Sequence, residues 1–279
     1  MLMENELPVR SAGSGTPHRQ GSATDIVVGY VETLLFGGVL QPGDQLPSEA
    51  DLAEELGVSR LTVREGIRTF QARGLVNITH GRRATLAHPN AAPLRDFFSA
   101  SVRRDASGLL ELLEVRMAVE VHAASLAALH ATQADLAALE LALTYMKNSA
   151  TDVESFNDAD VRFHAALATA SGNKMLGLIV EGMEEPLRAG RMASISGHCA
   201  SHQDLQDLIS QHAKIYEYVA ARNSKAAAAA MARHLSETRK DLTIAFKTRL
   251  GAPGPGGPTA SGTIQTQMHA QDPREMKEP

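Results

Sequence analysis

Apolar positions recur along this chain with two textures. Between Thr24 and Leu86 they come in short arcs separated by glycines, serines and a proline-containing turn. From about Asp105 to Arg249, long Ala- and Leu-rich stretches repeat the helical period with few β-branched runs. In the first texture, Ile26, Val27, Tyr30, Val31, Leu34 and Leu35 mark one face of a helix that Gly37 and Gly38 end. Ser48, with Asp51 one turn on, starts a short second helix with Leu52, Ala53 and Leu56 on its inner side, and Gly57 closes it. Ser59 caps a third helix that buries Val63, Ile67 and Phe70 and stops at Gly74. The runs "LVNITH" and "RATLA" then flank His80 and Gly81 and predict a short hairpin with a basic tip.

Two domains follow, at 23–88 and 105–249, and 279 residues with 43% hydrophobic content supply a core for each. The expected class is mainly α: a winged helix-turn-helix followed by an all-α domain. Residues 89–104 are expected to form the linker, because Pro89, Asn90 and Pro93 in "AHPNAAPLRD" discourage a continuous helix there. Residues 1–22 and 250–279, rich in Ser, Gly and Pro without a hydrophobic period, read as flexible tails. The single cysteine, Cys199, excludes an internal disulfide framework and points to a reducing compartment, the cytoplasm. The start carries no apolar run of signal-peptide length, and no stretch is apolar and long enough to span a bilayer, so no membrane association is expected.

Charge is distributed unevenly. The net value of −5 argues against a uniformly basic coat, yet Gly57 to Arg83 holds six arginines against Glu65 alone. Arg60, Arg64 and Arg68 recur every fourth residue, so they drift slowly along an arc beside the apolar one. Two short helices joined by a tight turn form a helix-turn-helix, whose second helix enters the major groove. A basic hairpin tip beside it reaches phosphates or the minor groove. The stretch "LQPGDQLPSEADLAEELGVSRLTVREGIRTFQARGLVNITHGRRATL" resembles the winged helix-turn-helix of bacterial GntR-family transcription regulators. That resemblance implies double-stranded operator DNA as partner, with contacts from Arg60, Thr62 and Arg64 in the recognition helix and from His80, Gly81 and Arg82 at the wing. One position departs: Ala50 stands where the fatty-acid-responsive member of the family has a further DNA-contacting arginine, so the operator sequence does not carry over.

In "SFNDADVRFHAAL", Phe156, Asp160, Phe163, His164 and Leu167 share one helical stripe, which directs a carboxylate and an imidazole into the core. A buried isolated carboxylate is costly unless it is protonated, paired or given a metal. His212 lies in the stripe Leu205, Leu208, Ile209, His212, Ile215, Tyr216, Val219, and His234 follows Met231 on the next helix. With a turn at Arg222-Asn223-Ser224, the two histidines stand equally far from Asn223, so an antiparallel hairpin brings them level. One Asp and three inward His make an N/O site suited to zinc, nickel or a similar divalent ion with positions left for water or ligand. The same spacing is also met by four polar residues satisfied by hydrogen bonds in a helical core.

"DADVRFHAALATASGNKML" and "QHAKIYEYVAARNSKAAAAAMARHL" are similar to the FCD ligand-binding domain of the FadR-type GntR subfamily, over roughly residues 108–246. The resemblance implies an antiparallel bundle of six or seven helices around a cavity. It also implies a divalent metal, zinc before nickel or another transition ion, held by Asp160, His164, His212 and His234. Arg116 in "LLELLEVRMAVE" corresponds to an arginine of the subfamily, where a small carboxylate effector would give its buried guanidinium an anion. The alternative is an ion pair with Glu120, its i+4 neighbour. Together these imply a metabolite-responsive repressor, without catalysis, acting as a homodimer on an inverted repeat. Two other readings stand beside it: a metal-dependent hydrolase, and a metal-free regulator sensing an acyl ligand. Among the remaining candidates, Cys199 and His202 have ligand-like spacing in an expected loop beside a solvated His198. His122 and His130 fall on an Ala-rich helix, and Asn173 reads as a cap or turn residue.

Overall fold

The computed structural model describes residues 22–104, 107–200 and 205–251. The two expected tails fall almost entirely outside them. The N-terminal unit contains α1 (Ala23–Phe36), α2 (Glu49–Leu56), α3 (Arg60–Ala72), β1 (Val76–Asn77) and β2 (Thr85–Leu86). Capping boxes start α1 at Ser22 and α2 at Ser48, and the Ser59 side chain accepts from Thr62 N at the start of α3. Gly57, at φ +63°, ends α2 in the left-handed region and turns the chain directly into α3. Val27, Val31, Leu35, Leu46, Leu52, Val63, Ile67, Phe70 and Val76 form one core. Ile26, expected on the inner face of α1, is exposed instead. The hairpin is antiparallel with Val76 opposite Leu86. Residues 43–46 add a third line of backbone pairing, with Leu46 N donating to Ala84 O and Leu86 N to Asp44 O.

The expected linker is largely helical: α4 spans Ala92–Arg104. Its prolines do not forbid this, because Pro89 precedes the helix and Pro93 occupies the first turn, where no intrahelical N–H bond is lost. Asn90 caps it, accepting from Ala92 N at 3.1 Å, while its amide donates to Gly74 O at 3.0 Å. Gly74 (φ +70°) permits this junction, since a Cβ there would lie 2.8 Å from Pro93 Cγ. The end of α3 and the start of α4 are thereby tied together.

Six further helices complete the second unit: α5 (Gly108–His130), α6 (Gln133–Asn148), α7 (Val153–Ala170), α8 (Lys174–Ala200), α9 (Leu205–Ala220) and α10 (Ser224–Gly251). With α4 they make seven among the described residues. α5 packs against α4, α7, α8, α9 and α10, and α8 against α4, α5, α7, α9 and α10, so these two helices lie at the middle of the bundle. The apolar side of α5 is built from Leu109, Leu112, Leu113 and four buried alanines, which allow close helix approach. α4 approaches α8 at Gly182, where a Cβ would lie 2.8 Å from Leu94 Cβ. α9 and α10 join as expected, with Arg222 at φ +59° and the Asn223 side chain accepting from Ala226 N. Cys199 sits in the last turn of α8 and not in a loop, and its expected companion His202 lies outside the described residues.

Candidate metal centre and nucleic-acid interface

The basic surface comes first along the chain. Arg60, Arg64 and Arg68 lie on the exposed side of α3, beside the buried arc of Val63, Ile67 and Phe70. Arg64 makes a two-pronged pair with Glu49 of α2, Nε to Oε1 at 3.0 Å and Nη2 to Oε2 at 2.6 Å. That partner holds the Glu49 carboxyl below its ordinary range. Arg68 pairs with Glu65 and Arg73 with Glu32, both at 2.9 Å, while Arg60 and Arg82 make no ion pair among the described residues. Thr62 is partly covered, its hydroxyl 2.9 Å from Ser59 Oγ. His80, Gly81 (φ +72°) and Arg82 are exposed at the hairpin turn, where Arg82 N donates to Thr79 O. A groove of about 670 Å³ runs between α3 and this tip, lined by Arg64, Arg68, Gln71, His80, Gly81 and Arg82. Of the six sequence-predicted contacts, Arg64, His80, Gly81 and Arg82 line this groove, whereas Arg60 is exposed at the start of α3 outside it and Thr62 is turned toward the helix cap.

The second site lies within the bundle. Asp160 and His164 enter from α7, His212 from α9 and His234 from α10. All four are buried, and one ligand atom from each lies within 4.8 Å of the others. His212 Nε2 stands 3.0 Å from Asp160 Oδ1 and 3.3 Å from His164 Nε2. The expected levelling of the α9–α10 hairpin is met, with the His212 and His234 rings 4.3 Å apart. Each imidazole is held from behind through Nδ1. His212 uses the Leu208 carbonyl oxygen at 2.7 Å and His234 uses Gln211 Oε1 at 2.9 Å. His164 meets Glu120 Oε2 in a close but poorly aligned ion pair. Such backing fixes the ring orientation and leaves Nε2 facing the shared space, as metal-binding histidines require. The donor set therefore fits a divalent ion of the zinc type, which would supply a positive charge with coordination positions left over.

Electrostatics around the four residues are strongly coupled. Burial alone would raise the Asp160 carboxyl, but facing His164 and His212 hold it well below the usual carboxylate range. Burial likewise opposes ionisation of Glu120, yet Arg116 and His164 bring it down to about 2. His164 resists the lowering effect of burial and is raised by the Glu120 carboxylate, whereas burial and the neighbouring imidazoles push His234 well down. Arg116 is buried as expected, and each of the two roles weighed for it has a physical counterpart. Nε donates to Glu120 Oε1 at 2.6 Å, while Nη2 lies 4.0 Å from Asp160 Oδ2 without a hydrogen-bond partner.

Sequence reasoning missed two further members. Arg191 of α8 is 6% exposed; burial and the neighbouring Arg116 lower its pKa to about 10. Its Nη1 donates to the Glu184 carbonyl oxygen at 3.2 Å and its Nε lies 3.8 Å from Asp160 Oδ2. Asn157, one turn before Asp160 on α7, is fully buried with neither amide atom hydrogen-bonded. His198, expected in solvent, is a buried partner of Asp241 at 3.0 Å and joins α8 to α10. His122 and His130 are exposed on α5, and Asn173 caps α8 through Met175 N.

Residues 23–86 match the family described as bacterial regulatory proteins, gntR family, and residues 111–237 match the FCD domain. The chain is 35% identical over 218 residues to the HTH-type transcriptional regulator LutR of Bacillus subtilis (strain 168), covering 77% of this chain and 98% of the relative. It is 31% identical over 227 residues to the Glc operon transcriptional activator of Escherichia coli (strain K12), covering 78% and 88% respectively. Among solved structures, Streptococcus agalactiae GntR shares the fold with a TM-score of 0.55 at 24% identity, covering 78% of this chain and 99% of that one.

Proposed function

The chain belongs to the GntR family of bacterial transcription regulators with an FCD domain and not to a family of enzymes, and from that premise we propose a metal-dependent, carboxylate-responsive repressor. It acts in the cytoplasm as a homodimer, each α3 entering one half-site of an inverted repeat. Asp160, His164, His212 and His234 hold a divalent ion, zinc first, and Arg116 meets the carboxylate of a small effector beside it. The observation that carries this reading is the buried group of one aspartate and three histidines, with every imidazole backed through Nδ1.

Effector binding shifts DNA affinity only as far as it favours one of two arrangements of the heads. A physical route for that preference exists. Arg191 ties the centre to the backbone of α8, α8 meets α4 at Gly182 and Leu94, and Asn90 at the head of α4 holds the end of the recognition helix through Gly74. Repression follows when the effector-free dimer occupies the operator and the effector releases it.

The test is metal analysis and operator binding by the purified full chain, with and without His212→Ala. Stoichiometric divalent metal that the substitution abolishes, and operator release by a carboxylate only when metal is present, support the proposal. A chain that takes up no metal, yet is released by an acyl ligand, would make it a metal-free sensor instead.

A further inference from the structure

The proposed centre leaves four buried polar atoms unused. Arg116 Nη2, Arg191 Nε and both amide atoms of Asn157 have no hydrogen-bond partner within the protein, although Arg116, Arg191 and Asn157 are almost fully enclosed. Arg116 Nη2 and Arg191 Nε both face Asp160, and Asn157 lies one turn before it on α7. The Asp160 Oδ1 faces His164 and His212, whereas its Oδ2 faces Arg116 and Arg191 at 4.0 and 3.8 Å. The centre thus has an imidazole pole and a guanidinium pole. Buried donors and acceptors are ordinarily satisfied, so this cluster of unsatisfied ones on α5, α7 and α8 points to a ligand.

The atoms can be matched to functional groups. A first carboxylate with one oxygen at the metal offers its other oxygen to Arg116 Nη2. Arg191 Nε and Asn157 Nδ2 remain as two donors that call for two acceptor oxygens, the pattern of a second carboxylate. Asn157 Oδ1 remains as an acceptor and calls for a hydroxyl. Charge leads to the same class. The two guanidiniums balance the carboxylates of Glu120 and Asp160, so a divalent ion with neutral imidazole ligands leaves a surplus that a dianion neutralises. A cavity of about 350 Å³ between α4, α7 and α8 is lined by Asn157 and Arg191, by three further arginines and by the carboxylates of Asp158, Glu181, Glu184 and Glu185, so within it only Asn157 and Arg191 are the buried groups left to a short molecule.

We infer that the effector is a short hydroxy-dicarboxylate, with its second carboxylate held by Arg191 and Asn157 opposite the metal-facing one. The inference rests on the proposal that a divalent ion and a carboxylate meet at Asp160. Arg191 is fixed for this role by its bond to the Glu184 carbonyl, which leaves Nε directed toward Asp160.

Calorimetric titration of the full-length, zinc-loaded protein with malate, succinate and lactate tests it. Malate is expected to bind tightest and to exceed lactate by at least about tenfold, the scale of one charge-assisted hydrogen bond. Arg191→Gln removes the charge at the second pole, and the near-isosteric Asn157→Asp sets a carboxylate against the incoming one. Each is expected to weaken malate by at least about tenfold more than it weakens lactate, with zinc content measured on the same samples. Lactate binding as tightly as malate overturns the inference, as does equal weakening of both acids in the variants. If Arg191→Gln does not fold, Asn157→Asp decides alone. Zinc uptake and lactate binding without a malate preference remove only this inference; failure of zinc uptake removes the centre as well.

Discussion

The molecule treats arginine in two opposite ways. On the proposed DNA-reading face, Arg64 and Arg68 pair with Glu49 and Glu65 while about half of each arginine side chain remains in solvent, and Arg73 pairs likewise with Glu32 of α1. In the bundle, Arg116 and Arg191 are withdrawn from water beside Glu120 and Asp160. Exposed pairs contribute little to stability, because water screens them and long side chains lose entropy in forming them. A phosphate can replace such a glutamate cheaply. Buried pairs are different: removing one member strands the other charge, so they fix geometry whether or not they add net stability. One region keeps its charges available for exchange, and the other locks them in place around the proposed centre.

The sharpest way to break this contrast is to remove one buried partner. Glu120→Ala leaves Arg116 without its near counter-charge and His164 without its support, and is expected to cost about 3–5 kcal/mol of folding stability. Urea denaturation of metal-free protein measures it, and a loss no larger than that of a surface substitution would place Arg116 in a far wetter setting than its burial indicates. Next in size is the metal itself. Removing zinc with a chelator is expected to lower stability by about 3 kcal/mol if the ion had been held at roughly a hundredfold excess over its dissociation constant. His212→Ala should show no such chelator response; an undiminished one would place the ion elsewhere.

At the other face the expected effect moves from folding to binding. Arg64→Ala should weaken operator affinity about ten- to a hundredfold and reduce the salt slope by about one, with an unchanged urea midpoint. A shift of that midpoint would mean that the Arg64–Glu49 pair holds α2 to α3, and that the two regions use their arginines alike.

Much of this organisation is legible in the sequence because it is periodic. The capped helices at Ser48 and Ser59, the stripe carrying Asp160 and His164, and the symmetric placement of His212 and His234 about Asn223 follow from local rules. What is not legible depends on distant contacts. α4 carries no fully buried residue and exposes Phe97, so its apolar pattern is weak, and its prolines read as breakers although both sit where a helix tolerates them. Arg191 lies on α8 beyond Pro186 in a run that reads as polar, and its burial comes from the facing Asp160 and Arg116. His198 reads as solvated for the same reason, its partner Asp241 lying on another helix. Glu120 is visible only as the i+4 partner of Arg116; its support of His164 needs the packing of α5 against α7.

The smallest effect separates two roles for Glu49. Its carboxyl is kept ionised by the hydrogen bond from Arg64 and so competes with an incoming phosphate for the same guanidinium. If exchange is the purpose of these exposed pairs, Glu49→Gln should tighten operator binding a few-fold at low salt. The gain should fade as ionic strength rises, because the competing attraction is screened together with the phosphate's. Folding stability should stay the same. Weaker binding by Glu49→Gln at every salt concentration would mean that Glu49 aims Arg64 at the duplex. In that case the DNA-reading face, like the bundle, would depend on a carboxylate to hold its arginine in position.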